Sequence, residues 1–206
     1  DIQTWLADKI NKEFTRVENT AFIIGDGVKK PRGMLTYPAW SAAGVYERGK
    51  VEQIQTLNSY SPGFIYNGDD IINTVNALAV AENGMGEMYI TNAKWLMKRT
   101  TWGSVIKAKD GIGRYLIDPQ IVKTGTTLEL EGFPVMFAND MPAVSAGSLS
   151  IAFGDFNASY TIVDRRGVSL LRDPYTAKPY VSFYTTKRVG GDVTSYDGYK
   201  ILVTKS

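Results

Sequence analysis

Neither cysteine nor histidine occurs among the 206 residues. Without Cys there is no disulfide, zinc ribbon, iron–sulfur cluster or thiol nucleophile. Without His the usual general base, the Ser-His-Asp triad and the commonest transition-metal ligand are gone as well. Any metal site would have to be built from oxygen ligands around a hard cation. Long apolar runs are also missing. The longest are pieces such as Ala21–Ile24 and Ala77–Ala81, far short of the about 20 residues a bilayer span needs. No membrane contact is expected. No basic stretch followed by an apolar segment opens the chain, so no signal peptide is expected either. An excess of one charge is lacking too. With 23 Lys+Arg against 21 Asp+Glu the formal net charge is +2, too small and too dispersed to imply nucleic-acid recognition. Nothing in the composition calls for a cofactor.

What is present is a globular composition, 44% hydrophobic and 21% charged. That length and balance allow one or two domains with a real core and no staples. The chain begins at Asp1, inside a helical pattern, and reads as the remainder of a longer polypeptide. Ile2, Trp5, Leu6, Ile10, Phe14, Val17, Ala21 and Ile24 recur at steps of three and four, with Asp8, Lys9, Lys12, Glu13, Arg16 and Glu18 on the other face. This predicts one amphipathic helix of roughly 30–36 Å. Gly25-Asp26-Gly27 is expected to end it, glycine supplying a left-handed helix terminus. A single apolar stripe on so long a rod requires an apolar partner.

Val28 to Gly68 is punctuated by Pro and Gly and reads as ordered loop with small strands. Asp69-Asp70 predicts an N-cap for a helix through Ala79. Met88–Ile90 reads as a strand, Ala93 to about Thr100 as a helix capped by Thr91-Asn92, and Arg114–Ile117 as an extended piece. From Thr126 the period becomes two. Strands are predicted at Leu128–Leu130, Pro134–Ala138, Leu149–Phe153, Tyr160–Val163, Val168–Leu171, Val181–Val189 and Tyr199–Thr204. Arg165-Arg166-Gly167 reads as a hairpin turn and Gly190-Gly191 as a bulge. One long helix, a mixed middle and many late strands make an α+β pattern, not a repeating βαβ one.

Chemistry is sparse. Gly25-Asp26-Gly27 follows a helix, whereas nucleotide loops need strand–loop–helix order. Asp69 and Asp70 are explained by capping. Glu129 and Glu131, two apart on a predicted strand, would share a face; they are the one pair a carboxylate-dependent hydrolase could use, and more simply the solvated side of a half-buried strand. Lys29, Lys30 and Arg32 form the densest basic patch, without interleaved aromatics; a contact to a neighbouring subunit suits them better than nucleic acid.

Several motifs in order carry a resemblance. Phe22-Ile23-Ile24-Gly25-Asp26-Gly27 is followed by Lys30-Pro31-Arg32-Gly33-Met34-Leu35. Then come Met88-Tyr89-Ile90-Thr91-Asn92-Ala93-Lys94-Trp95, Asp110-Gly111-Ile112-Gly113-Arg114-Tyr115, Gly132-Phe133-Pro134-Val135 and Gly154-Asp155-Phe156. Together they resemble the major capsid proteins of tailed bacteriophages and prophages of the Hong Kong 97 type, across nearly the whole chain. The resemblance implies residues 1–28 as the spine helix of a peripheral domain, 29–160 as an axial domain, and 161–206 as peripheral sheet strands. It implies that Trp5, Leu6, Ile10, Phe14 and Val17 pack on strands between about 161 and 204. It further implies a non-enzymatic shell subunit, made in the bacterial host cytoplasm and residing in the virion. Such a subunit self-assembles into hexamers and pentamers around DNA that it does not read, with portal, scaffold or decoration proteins as further partners. The family's N-terminal arm and extended loop precede the spine helix and are not in this sequence, so this chain alone is expected to stay monomeric or form small oligomers. Encapsulin-type compartments share the fold and are the alternative; the hydrolase is the distant one. Some members weld neighbours through a Lys–Asn isopeptide bond assisted by a Glu. Asp173 to Arg188, where the resemblance would place the latter two, contains no Asn and no Glu, so noncovalent assembly is expected.

Overall fold

A computed structural model of the chain describes residues 2–41, 52–62, 68–79, 86–107, 128–176 and 178–205. Helix α1 spans Ile2–Ile24, followed by strands β1 (Ala39–Ser41) and β2 (Ile54–Pro62). Helices α2 (Gly68–Ala79) and α3 (Gly86–Thr91) lead to strand β3 (Lys94–Met97) and helix α4 (Arg99–Ile106). Then come β4 (Glu129–Leu130), β5 (Phe133–Phe137), β6 (Leu149–Gly154), the single-turn helix α5 (Phe156–Ser159), β7 (Tyr160–Asp173), β8 (Ser182–Val193) and β9 (Tyr199–Lys205). No helix among the described residues is long and apolar enough to cross a membrane. The chain divides into two compact units, Asp1–Thr36 with Thr161–Val193, and Tyr37–Tyr160 with Thr194–Ser206.

The second unit is built on a seven-stranded mixed sheet in the order β1-β2-β9-β6-β3-β5-β4. Strand β9 runs parallel to β2 and antiparallel to β6, with Lys200 opposite Phe153 and Ile201 opposite Ala152. Strand β3 is antiparallel to β6 and parallel to β5. The core gathers Trp95 and Met97 of β3, Ile151 and Phe153 of β6, Leu202 of β9, and Ile71 and Leu78 of α2. The Trp95 and Phe153 rings lie 4.2 Å apart, and the buried Trp95 indole N–H donates to the Leu130 carbonyl at 3.0 Å. A ring that large is buried with its one polar atom satisfied, which is the condition for tryptophan at the centre of a core. In the first unit, the described sheet is a two-stranded ribbon of β7 and β8, accompanied by α1.

Several elements differ from the sequence expectation. Met88–Ile90 lies in helix α3, with Tyr89 buried and Met88 exposed. The expected helix at Ala93–Thr100 is strand β3 up to Met97, with Trp95 and Met97 turned inward, and α4 begins only at Arg99. Three or four apolar residues fit either period, and here the empty place between β6 and β5 decides. Arg165-Arg166-Gly167 lies mid-strand, since β7 is continuous through it, and Gly190-Gly191 lies within β8. Pairing along the ribbon outweighs the local turn signal; the reversal comes after Asp173. The last strand, assigned above with the spine helix in 161–206, instead sits inside the seven-stranded sheet. The first unit also extends past residue 28, to Thr36. The extended piece expected at Arg114–Ile117 lies outside the described residues.

Candidate functional site

The G-D-G and P-R-G segments fold into one clamp at the end of α1. The helix ends at Ile24, and the Gly25 N–H donates to the Ala21 carbonyl at 2.9 Å. The chain then returns antiparallel. Gly33 N–H donates to Gly25 O at 2.8 Å, Met34 N–H to Phe22 O at 2.9 Å, and Leu35 N–H to Ile23 O at 3.0 Å. The orphan carbonyls of the helix terminus are therefore capped by backbone from the following segment. A Cβ on Gly25 would meet Pro31 O at 2.2 Å, and one on Gly33 would meet the Gly25 nitrogen at 2.5 Å. The left-handed glycine of the motif is Gly27, at φ 79°, not Gly25. Gly25 and Gly33 are required by close backbone approach rather than by a left-handed conformation.

Asp26 organises the turn between them. Its Oδ1 accepts the Val28 N–H at 2.9 Å, and its Oδ2 lies 3.2 Å from Lys30 Nζ. The Val28 N–H, and after it Lys30, hold the Asp26 carboxyl below its ordinary pKa. Of the basic patch, Lys30 is thus engaged within its own loop. Lys29 sits at φ 59°, and the Arg32 N–H donates to the Gly191 carbonyl of β8 at 3.1 Å.

The proposed apolar stripe of α1 is not buried as a unit. Trp5 is 60% and Val17 51% exposed, while Leu6, Ile10 and Phe14 are half-buried. Among the described residues of α1, only Ala21 and Ile23, beside the clamp, are buried. The physical reason is that the helix shares its unit with a two-stranded ribbon, β9 being in the other unit, and a ribbon is too narrow to cover a helix of this length. The expected polar-face residue Glu18 is drawn in instead. Lys187 Nζ reaches Glu18 Oε1 at 2.6 Å and Asp164 Oδ1 at 3.6 Å. Sequence reasoning missed this network. The available signal was Glu18 standing four residues after Phe14, in line with Ile10.

The ribbon itself carries a run of exposed apolar side chains. Ile162, Val163, Val168, Leu170 and Leu171 of β7 and Phe183 and Tyr184 of β8 are exposed, Leu171 at 61% and Tyr184 at 65%. Adjacent residues on a strand point to opposite faces. The pairs Ile162-Val163 and Leu170-Leu171 therefore present apolar side chains on both sides of the ribbon. Between α1 and the ribbon lies a groove of about 570 Å³. Phe14, Val17, Ala21, Val163 and Val189 give it apolar walls, and Lys29, Lys30, Arg165, Lys187 and Arg188 give it basic ones.

The carboxylate pair does not form. Glu129 is on β4, but Glu131 follows the strand's end in a turn at φ 52°, so the two do not share a strand face.

Comparison with known proteins follows the same lines. No curated protein matches. Among solved structures, the capsid of a native GTA particle, computed with C5 symmetry, superimposes with a TM-score of 0.87 at 39% identity, covering 100% of this chain and 66% of that one. The capsid of the empty GTA particle gives a TM-score of 0.86 at 39% identity, covering 100% and 67%. The chain thus spans about two thirds of those capsid chains. Gordonia phage Cozz, at 14% identity, has a TM-score of 0.62 over 100% of this chain and 64% of its own; it shares the fold. The mixed α+β architecture is that of the Hong Kong 97-like capsids. The phage capsid family matches residues 1–204, so nearly every element described above, from α1 to β9, falls within one family's pattern, and the chain belongs to the phage capsid family.

Proposed function

We propose that this chain is a structural subunit of a bacteriophage or prophage head, self-assembling into the pentamers and hexamers of an icosahedral shell that encloses DNA. It works by repeated association rather than by catalysis, and its place is the virion. The observation that carries the reading is the β7/β8 ribbon. A two-stranded sheet is marginal in water by itself, and monomeric proteins seldom leave a contiguous apolar surface of this kind uncovered. Here both faces carry exposed Ile, Val, Leu, Phe and Tyr. Two-sided apolar exposure suits a subunit that is contacted by more than one neighbour. The GTA capsids, alike over the whole of this chain, support the same reading.

The test is assembly of the complete protein. Electron microscopy of the full-length polypeptide expressed alone should show closed shells or capsomers. Leu170→Asp with Leu171→Asp should leave the subunit folded by circular dichroism and abolish those particles. Particles that form normally with both substitutions would refute the role of the ribbon.

A further inference from the structure

We propose that the groove between α1 and the β7/β8 ribbon is a docking site for an extended acidic peptide whose carboxylates alternate with apolar side chains. The proposal goes beyond the shell reading and stands or falls separately from it. All the lining residues belong to the first unit. Their chemistry is of two kinds. Phe14, Val17, Ala21, Val163 and Val189 form apolar walls, and five cationic side chains share the lining with the single carboxylate of Glu18.

The cations are not equivalent. Lys187 is held by Glu18 and Asp164, and Lys30 by Asp26. Lys29, Arg165 and Arg188 carry no ion pair among the described residues, and all three are exposed. Lys29 has a left-handed backbone conformation, within the turn that the Asp26–Lys30 pair spans. Arg165 comes from β7, on the same strand face as Val163, whereas Arg188 borders the groove from β8 with its side chain on the face opposite to those of Lys187 and Val189. Charge is therefore unbalanced on both the loop side and the ribbon side of one apolar channel.

That combination selects the class of ligand. Nucleic acid would use the cations but gain nothing from the aliphatic walls, since phosphate contacts need none and stacking needs exposed aromatic faces. A purely apolar peptide would leave the guanidinium groups unanswered. An extended chain places successive side chains on opposite sides, so one with alternating acidic and apolar residues meets both requirements. Carboxylates pair with Lys29 and, bidentately, with Arg165, and apolar side chains cover Val163 and Phe14.

The experiment is isothermal titration of the 206-residue chain with a short synthetic peptide of alternating glutamate and valine. The expected result is saturable binding that weakens as salt rises. The same peptide with glutamine in place of glutamate should bind at least about tenfold more weakly, a loss equal to about 1.4 kcal/mol. The double variant Lys29→Glu, Arg165→Glu should lose binding to a similar extent, while Lys205→Glu, in the other unit, should not. Equal affinity for the two peptides would overturn the proposal, and that arm needs no protein variant to fold. Tighter binding of a short single-stranded oligonucleotide than of the acidic peptide would overturn it too.

Discussion

Lys187 Nζ lies 2.6 Å from Glu18 Oε1, so an ion pair joins the third quarter of helix α1 to strand β8. Asp164 of β7 stands 3.6 Å from the same nitrogen. One cation thus ties helix and both strands. Its pKa is raised above the ordinary 10.5, chiefly by the hydrogen bond it donates to Glu18. Because the folded state holds this proton more tightly, the contribution is complete below about pH 10 and lost as pH climbs through the raised value. Glu18→Gln should destabilise the chain by about 1 kcal/mol at neutral pH. The gap between variant and wild type should close in urea melts at strongly alkaline pH. A gap that widens there would contradict the assignment.

The clamp gives a sharper contrast between two glycines. At Gly33 a methyl group would strike the backbone of Gly25 and Ile23 at 2.5 Å. Neither neighbour is a flexible side-chain end, so the strands of the clamp must part. Gly33→Ala should cost about 1–3 kcal/mol. At Gly167, mid-strand in β7, an added Cβ meets nothing within 4 Å. Gly167→Ala should fall within about 0.5 kcal/mol of wild type. Denaturant midpoints of the two variants decide; equal costs would remove the clamp as the reason for the motif.

Long, periodic elements were legible in the sequence, and the places where they pack were not. Helix α1 is stated by its own spacing, and α2 by Asp69-Asp70 and the apolar residues after them. The late strands follow from alternation, except that the turn signal of Arg165-Arg166-Gly167 divides in two what is one strand, β7. Trp95 could not be placed on a strand from Lys94-Trp95-Leu96-Met97, because four residues satisfy both periods. Nor could the route of the chain be read. Tyr199–Lys205 has the same local pattern whether it lies along the spine helix or between β2 and β6, and only long-range pairing distinguishes them. Lys29, Lys30 and Arg32 were visible as a patch. That Lys30 serves Asp26 while Lys29 joins Arg165 and Arg188 around one groove depends on β7 and β8, more than a hundred residues away in sequence.

The ribbon tip bears on covalent assembly. Asp173, the sole carboxylate from there to Arg188, is committed to its own turn. It accepts the N–H of Tyr175 at 2.9 Å and of Thr176 at 3.2 Å, and also the Thr176 hydroxyl. The hydroxyl first, then these N–H groups, keep its carboxyl below the ordinary range. A carboxylate so held is a poor proton acceptor for a lysine amine of ordinary pKa near 10.4. Particles of the complete protein, boiled in SDS, should release monomers. A ladder of covalent oligomers would show that the welding groups lie elsewhere.

Lys200 is a buried charge in the second unit. It is 1% exposed, on β9 opposite Phe153, inside the seven-stranded sheet. Burial pushes its amine down to about 8, partly offset by the buried carboxylate of Asp197. An unfolded lysine titrates near 10.5. Between about pH 8 and pH 10.5 the unfolded chain therefore binds a proton that the folded one has released, and stability rises with pH across that window. Below pH 8 the fold carries a buried ammonium, at a cost of about 3 kcal/mol relative to the neutral amine's preference. Lys200→Met keeps the length of the side chain and removes the charge, at the expense of its attraction to Asp197. It should stabilise the chain by about 1–3 kcal/mol at pH 7. Thermal melts of both proteins from pH 7 to about pH 10 should show the advantage of the variant shrinking as Lys200 in the wild type deprotonates. An advantage that is absent at pH 7, or that grows with pH, would mean that the ammonium is solvated in the folded protein and that β9 does not hold it in the core.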